Sequence, residues 1–286
     1  MLLPFIKVLE KLAYLTVKDK EGEGNKDNIE EQFKLLDERF LQSPSFAVEK
    51  CRELTNRMGE IAKESIDMAM SICVDKYDKE KAEQIAANEA AVDLYEDRLG
   101  TYLVKLSSRD LSAKDSQSVS TILHVIGDFE RISDHAVNLL AASEELRSKG
   151  LGFSAAAEKE LKVLIGAVSE ILNTAERAFS EKDLAAAAQV EPLKQVIVAL
   201  KEQMRTRHIL RMQQGHCSIE AGFVWSDLLT DLERTADHCS NIAGCVLDAA
   251  NHGLNLHETL RAMRADDPDF RRAYGTYAEK YRLQAV

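Results

Sequence analysis

The residues of this 286-residue chain best suited to chemistry form a motif that occurs twice. Asp128-Phe-Glu130-Arg131-Ile-Ser-Asp134-His135-Ala-Val-Asn138 returns as Asp231-Leu-Glu233-Arg234-Thr-Ala-Asp237-His238-Cys-Ser-Asn241, displaced by 103 residues, with six of eleven positions identical and all six polar. Glu and Asp stand one helical turn apart in each copy, where like charges repel unless a cation lies between them. Arg131 and Arg234 supply that charge, or a metal does. An earlier acidic pair, Glu89 and Asp93, returns more weakly as Glu191 and Gln195, displaced by 102. Hard oxygen ligands on adjacent antiparallel helices suit Fe, Mn, Mg or Zn. One site would set Glu89 and Asp93 against Glu130 and Asp134. The other would set Glu191 against Glu233 and Asp237, one carboxylate poorer because of Gln195.

A single acidic pair beside Arg on a long helix is more often a solvated ion-pair face. Repetition of the same six residues is what favours a site. His135 and His238 lie about 100° around the helix from the neighbouring Asp, so an interhelical hydrogen bond is their commoner fate than ligation. Asn138 and Asn241 follow the acids at i+8 and suit either role, and Cys239 and Cys245 read as packing residues.

The elements that must position these residues are helices. Apolar residues recur at helical spacing over about 44–75, 79–111, 112–146, 154–179, 184–212 and 218–250, with Pro44 and Ser112 as starting signals and Gly150 and Gly152 as a break. Pro192 leaves the start of the fifth segment open. The fold class is all-α, with two tandem antiparallel three-helix bundles and a short helical C-terminal tail. The divisions fall at 1–28 (an N-terminal segment and charged linker), 29–150 (first bundle), 151–253 (second bundle) and 254–286 (tail). Within the tail, short helical pieces are expected at His257 to Met263 and Pro268 to Leu283, the latter carrying Tyr274, Tyr277 and Tyr281 at helical spacing and docking on a bundle.

Composition narrows the function. Thirteen Gly and four Pro are too few for the turns of an all-β fold. The 48 acidic against 37 basic residues, a formal charge of −11, argue against a nucleic-acid partner, whose phosphates are bound by Lys and Arg. Five scattered cysteines with no Cys-x-x-Cys favour reduced thiols and a cytoplasmic setting. Met1 to Val17, interrupted by Lys7, Glu10 and Lys11, falls short of the roughly 20 apolar residues of a membrane span. No Glu-x-x-His, P-loop or Gly-x-Ser-x-Gly occurs, so no enzyme is indicated.

At the repeated Glu/Asp-Arg-x-x-Asp-His-x-x-Asn helix the sequence resembles the PhoU family of phosphate-uptake regulators, over about 44–252. It is closest to the PhoU-like C-terminal region of bacterial sodium/phosphate cotransporters, through Leu36-Asp-Glu-Arg-Phe-Leu, Thr101 to Ser107, His208-Ile-x-Arg211 and Lys280-Tyr-Arg-Leu. The resemblance implies non-catalytic regulation of phosphate uptake, with metal held by Glu89, Asp93, Glu130, Asp134, Glu191, Glu233 and Asp237. Fe is the first choice, with Zn, Mn or Ni as alternatives. It implies a membrane transporter domain or a phosphate-signalling protein as partner, with a homodimer as a further arrangement. The segment from Leu2 to Leu12 would then be membrane-proximal at the cytoplasmic face. A two-metal phosphohydrolase and a metal-free helical scaffold are the competing classes.

Overall fold

The computed structural model describes residues 31–75, 77–250 and 268–284. The expectations for residues 1–28 and for a helical piece at His257 to Met263 lie outside them. Among the described residues, two short 3-10 turns, Phe33–Leu36 and Glu38–Gln42, precede seven α-helices: α1 (Pro44–Val74), α2 (Lys79–Ser107), α3 (Ala113–Ser148), α4 (Ala155–Ser180), α5 (Leu184–Gln213), α6 (Ile219–Ala250) and α7 (Pro268–Lys280). Among the described residues there are no strands, as expected, and no helix long and apolar enough to cross a membrane.

The helix ends follow from the local chemistry. Pro44 occupies the first turn of α1, where its missing N–H costs nothing. Ser112 caps α3, its Oγ accepting from the Asp115 N–H at 3.1 Å. Asp78, Ser154 and Asp183 cap α2, α4 and α5 in the same way. Gly150 and Gly215 take φ of +62° and +73° just past the ends of α3 and α5, the left-handed conformation glycine adopts most cheaply. Pro192 lies inside α5, which begins at Leu184 and passes through it. Its missing N–H leaves the Ala188 carbonyl without its usual helical partner.

α1, α2 and α3 pack together as one bundle and α4, α5 and α6 as the other, while α3 against α6, and α1 against α4, join the two. Burial repeats between the halves. Displacing α3 by 103 residues onto α6 superposes Val125, Ile126, Phe129, Ile132 and Ala136 on Leu228, Leu229, Leu232, Thr235 and Cys239, all buried. Gly59 lets α1 approach α3, since a Cβ there would stand 2.6 Å from the Phe129 ring. That ring meets Phe179 of α4 edge-on at 5.9 Å, so one aromatic contact bridges both bundles.

All five cysteines are unpaired, and Cys239 and Cys245 are packing residues whose thiols burial pushes up. The tail docks, as the tyrosine spacing predicts. α7 lies along α5, the Tyr281 hydroxyl donates to the Gly166 carbonyl at 3.2 Å, and Lys280 Nζ sits 2.8 Å from Glu170 of α4.

Candidate functional site

The repeated residues divide into two sets on opposite flanks of the apolar stripe. Asp128 and His135 fall on one side of α3 and Glu130 and Asp134 on the other, with Asn138 between His135 and Asp134 on the face away from the stripe. The first set builds a reciprocal clasp between the halves. His135 Nδ1 lies 2.9 Å from Asp231 Oδ1, and Asn138 Nδ2 donates to the same oxygen at 3.3 Å. In mirror fashion His238 Nδ1 lies 2.8 Å from Asp128 Oδ1, which also accepts from Asn241 Nδ2 at 3.1 Å. The two imidazoles face each other with centroids 5.6 Å apart. The histidines and asparagines therefore take the interhelical hydrogen-bond role. Asp128 and Asp231, the hubs of the clasp, have no role readable from the helical wheel, because their partners sit on a helix about a hundred residues away in the chain.

The second set forms two unlike acidic faces. In the first half, Glu89 and Asp93 of α2 stand near Glu130 and Asp134 of α3. Burial, then Asp134, Glu96 and Asp93, push the Glu130 carboxyl up to about 7 against the opposite pull of Arg131. Burial, then Asp93 and Asp134, also push Glu89 up. Arg131 contributes from the rim, with Nε 3.3 Å from Glu130 and Nη1 3.4 Å from Asp134, its side chain 61% exposed. This is a concentration of negative charge only partly compensated, and its donors are hard oxygens.

In the second half the counter-charge is already in place. Lys201 pairs with Glu233, and Lys194 Nζ lies 2.9 Å from Asp237 Oδ1. Glu191, 1% exposed, accepts from Gln195 Nε2 at 2.8 Å on one oxygen and from the Ser240 hydroxyl at 2.5 Å on the other. Gln195 is thus a donor that holds Glu191. Sequence reasoning missed both lysines, although they sit seven residues apart on the helix that carries Glu191, and that spacing was their available signal. Among the described residues, no group of three His, Cys, Asp or Glu side chains is drawn together as metal ligands. Negative charge is left less compensated on the first face, where Arg131 reaches Glu130 and Asp134 from the rim, than on the second, where Lys194 and Lys201 each pair with an acid.

Two antiparallel three-helix bundles built on one duplicated unit, clasped through equivalent residues and each carrying acids on the same helices, define a class of duplicated helical-bundle proteins. A family model described as the PhoU domain matches twice, at residues 55–142 and 161–246, once in each half and over more than half of the chain. The chain belongs to the PhoU domain family. It is 29% identical over 152 residues to the phosphate-specific transport system accessory protein PhoU homolog 1 of Thermotoga maritima, a match covering 53% of this chain and 64% of that protein, under two thirds of its length. A PhoU homolog of Xylella fastidiosa is 26% identical over 195 residues, 68% of this chain and 81% of that protein. The crystal structure of PhoU from Pseudomonas aeruginosa aligns with TM-score 0.67 at 22% identity, over 71% of this chain and 97% of that one. The phosphate transport system regulatory protein PhoU from Streptococcus pneumoniae aligns with TM-score 0.64 at 20% identity, over 74% and 99%. These structures share the fold.

Proposed function

We propose that this chain is a non-catalytic regulator of phosphate uptake that holds a metal ion on the acidic face of its first half and works through a protein partner. Membership of the PhoU family in both halves supports the regulatory part, as do curated relatives named as accessory proteins of phosphate-specific transport. The observation that carries the metal part is the mutual repulsion of acids on α2 and α3: burial first, then Asp134, Glu96 and Asp93, push Glu130 up to about 7, and burial, then Asp93 and Asp134, push Glu89 up. A cation there would offset the negative charge that Glu89, Asp93, Glu130 and Asp134 bring together, and Fe comes first, with Zn, Mn or Ni as alternatives. The four residues would then fix the spacing of α2 and α3. The partner is a membrane transporter domain, that of a sodium/phosphate cotransporter first, or a phosphate-signalling protein, and the chain works at the cytoplasmic face.

The test has two readings. Elemental analysis of protein purified without added metal or chelator is expected to find transition metal that Glu130→Gln/Asp134→Asn loses. Phosphate uptake by cells lacking the chain is expected to lose its response to external phosphate, and the wild-type sequence should restore it. Metal-free protein that takes up neither Fe nor Mn nor Zn refutes the metal part. Unchanged uptake refutes the regulatory part.

A further inference from the structure

The internal duplication provides its own comparison between the two acidic faces. Displacing α2 by 102 residues onto α5 superposes buried positions: Ile85 on Ala187, Tyr95 on Ile197 and Tyr102 on Met204. In that register Glu89 falls on Glu191 and Asp93 on Gln195. Lys194 and Lys201 fall on Val92 and Leu99, which are fully buried parts of the first bundle's core. The fold therefore tolerates an apolar residue at both places, and the lysines are particular to the second half.

We infer that the second half carries its own cation, in the ammonium groups of Lys194 and Lys201, so that it stays metal-free and only the first half takes up metal. This rests on the proposed reading of the first face as a cation site. Burying a lysine costs free energy unless its charge is paired, yet both are held, with side chains 15% and 19% exposed, against separate acids of the repeated motif. Their stems run over the bundle and their heads reach the acids, as long cationic side chains do. A tethered ammonium competes for its acid without the cost of bringing a free ion to the site. Gln195 and Ser240 complete the arrangement by occupying both oxygens of Glu191. In the first half the exposed Arg131, against Glu130 and Asp134, serves four carboxylates, whereas in the second half two mostly buried lysines serve three. One half of the duplicated protein has most of its counter-charge built in, and the other gains the equivalent only when metal is present.

The experiment loads metal-stripped full-length chain with Fe(II) under anaerobic conditions, and separately with Mn(II), and measures bound metal per chain after desalting. Four proteins are compared: the parent, Glu130→Gln/Asp134→Asn, Glu233→Gln/Asp237→Asn, and Lys194→Met/Lys201→Met. Thermal melting confirms that each is folded. The parent is expected to bind metal that the first variant loses and the second retains in full. The lysine variant is expected to bind about twice as much as the parent. Loss of metal in Glu233→Gln/Asp237→Asn equal to that in Glu130→Gln/Asp134→Asn overturns the inference while leaving the proposed metal function intact. No metal in the parent overturns both. A folded lysine variant that binds only as much as the parent also overturns the inference. If that variant does not fold, the contrast between the two acid variants decides alone.

Discussion

Glu130 is the single residue whose ionisation says most about the first face. An acid raised from its ordinary 4.5 to about 7 in the folded chain binds protons more tightly there than in the unfolded chain. The folded state is therefore favoured as pH falls from about 8 toward 5, and loses that advantage as pH rises through 7. In metal-stripped protein the melting temperature is expected to climb over that interval. Glu130→Gln should flatten the climb and melt higher than the parent at pH 8, because it removes a charge that burial disfavours first and that Asp134, Glu96 and Asp93 oppose. A melting profile for Glu130→Gln with the parent's slope would show that Glu130 is ionised without penalty. The pairing of acids at i and i+4 was legible in the sequence because helical spacing places those residues by arithmetic. What relieves them was legible only for Arg131, which the motif itself contains. Arg131 at the rim and Lys194 on the second face differ in where a flexible head group comes to rest, which depends on neighbouring helices.

Helix by helix, the halves agree in register and differ in what fills it. The six core helices could be read from apolar period, capping Ser and breaking Gly because each signal is local. The 3-10 turns before α1 could not, since Phe33 there is placed by packing edge-on against Tyr95, 5.0 Å away. The inter-bundle clasp has the same long-range character: Asp128 is recognisable only once α6 lies beside α3. Asp128→Ala is expected to cost about 1–3 kcal/mol in urea unfolding, since it strands the His238 and Asn241 donors. Adding His238→Ala should cost less than its own single effect, as expected of residues sharing one interaction. Costs that simply add would mean the clasp contributes nothing as a unit. A second contrast lies deeper in the core. Displacing α1 by 106 residues onto α4 puts Leu54 on Glu160, and the α2 and α3 registers put Leu106 on His208 and Ile122 on Trp225. Where the first half has an apolar layer, the second buries Glu160 between Arg207 and Arg211, each with Nη1 at 3.1 Å, and stacks His208 on Trp225 at 5.5 Å. Burial, then Arg211, pulls the His208 imidazole below its usual range, which favours the neutral form. Restoring the first half's residue with Glu160→Leu should therefore destabilise, by about 3–5 kcal/mol, because it leaves the Arg211 charge buried without its carboxylate. Equal or greater stability in urea would show that the layer relaxes and that Arg211 reaches water.

Across the whole molecule, duplication followed by divergence has produced two halves that are equivalent in fold and unequal in charge. α3 is the helix on which the inequality bears most. It carries Glu130 and Asp134 toward α2 and, from its other flank, holds α6 through His135 and Asn138. A cation on the first face would remove repulsion between α2 and α3, and their amides would open less often. The second half has its ammonium groups seated already, so its helices have little to gain. Hydrogen exchange on metal-stripped and Fe(II)-loaded protein is therefore expected to show slowing concentrated in α2 and α3 near Glu89, Asp93, Glu130 and Asp134, with α4 and α5 unchanged. α6 is the informative helix. If it slows together with α3, the change crosses the clasp, and Asp231→Ala, which takes the acceptor from both His135 and Asn138, should confine the slowing to the first half. Identical exchange in both bundles with and without metal would rule out a structural response of either half, and a partner would then have to read the charge of the first face itself.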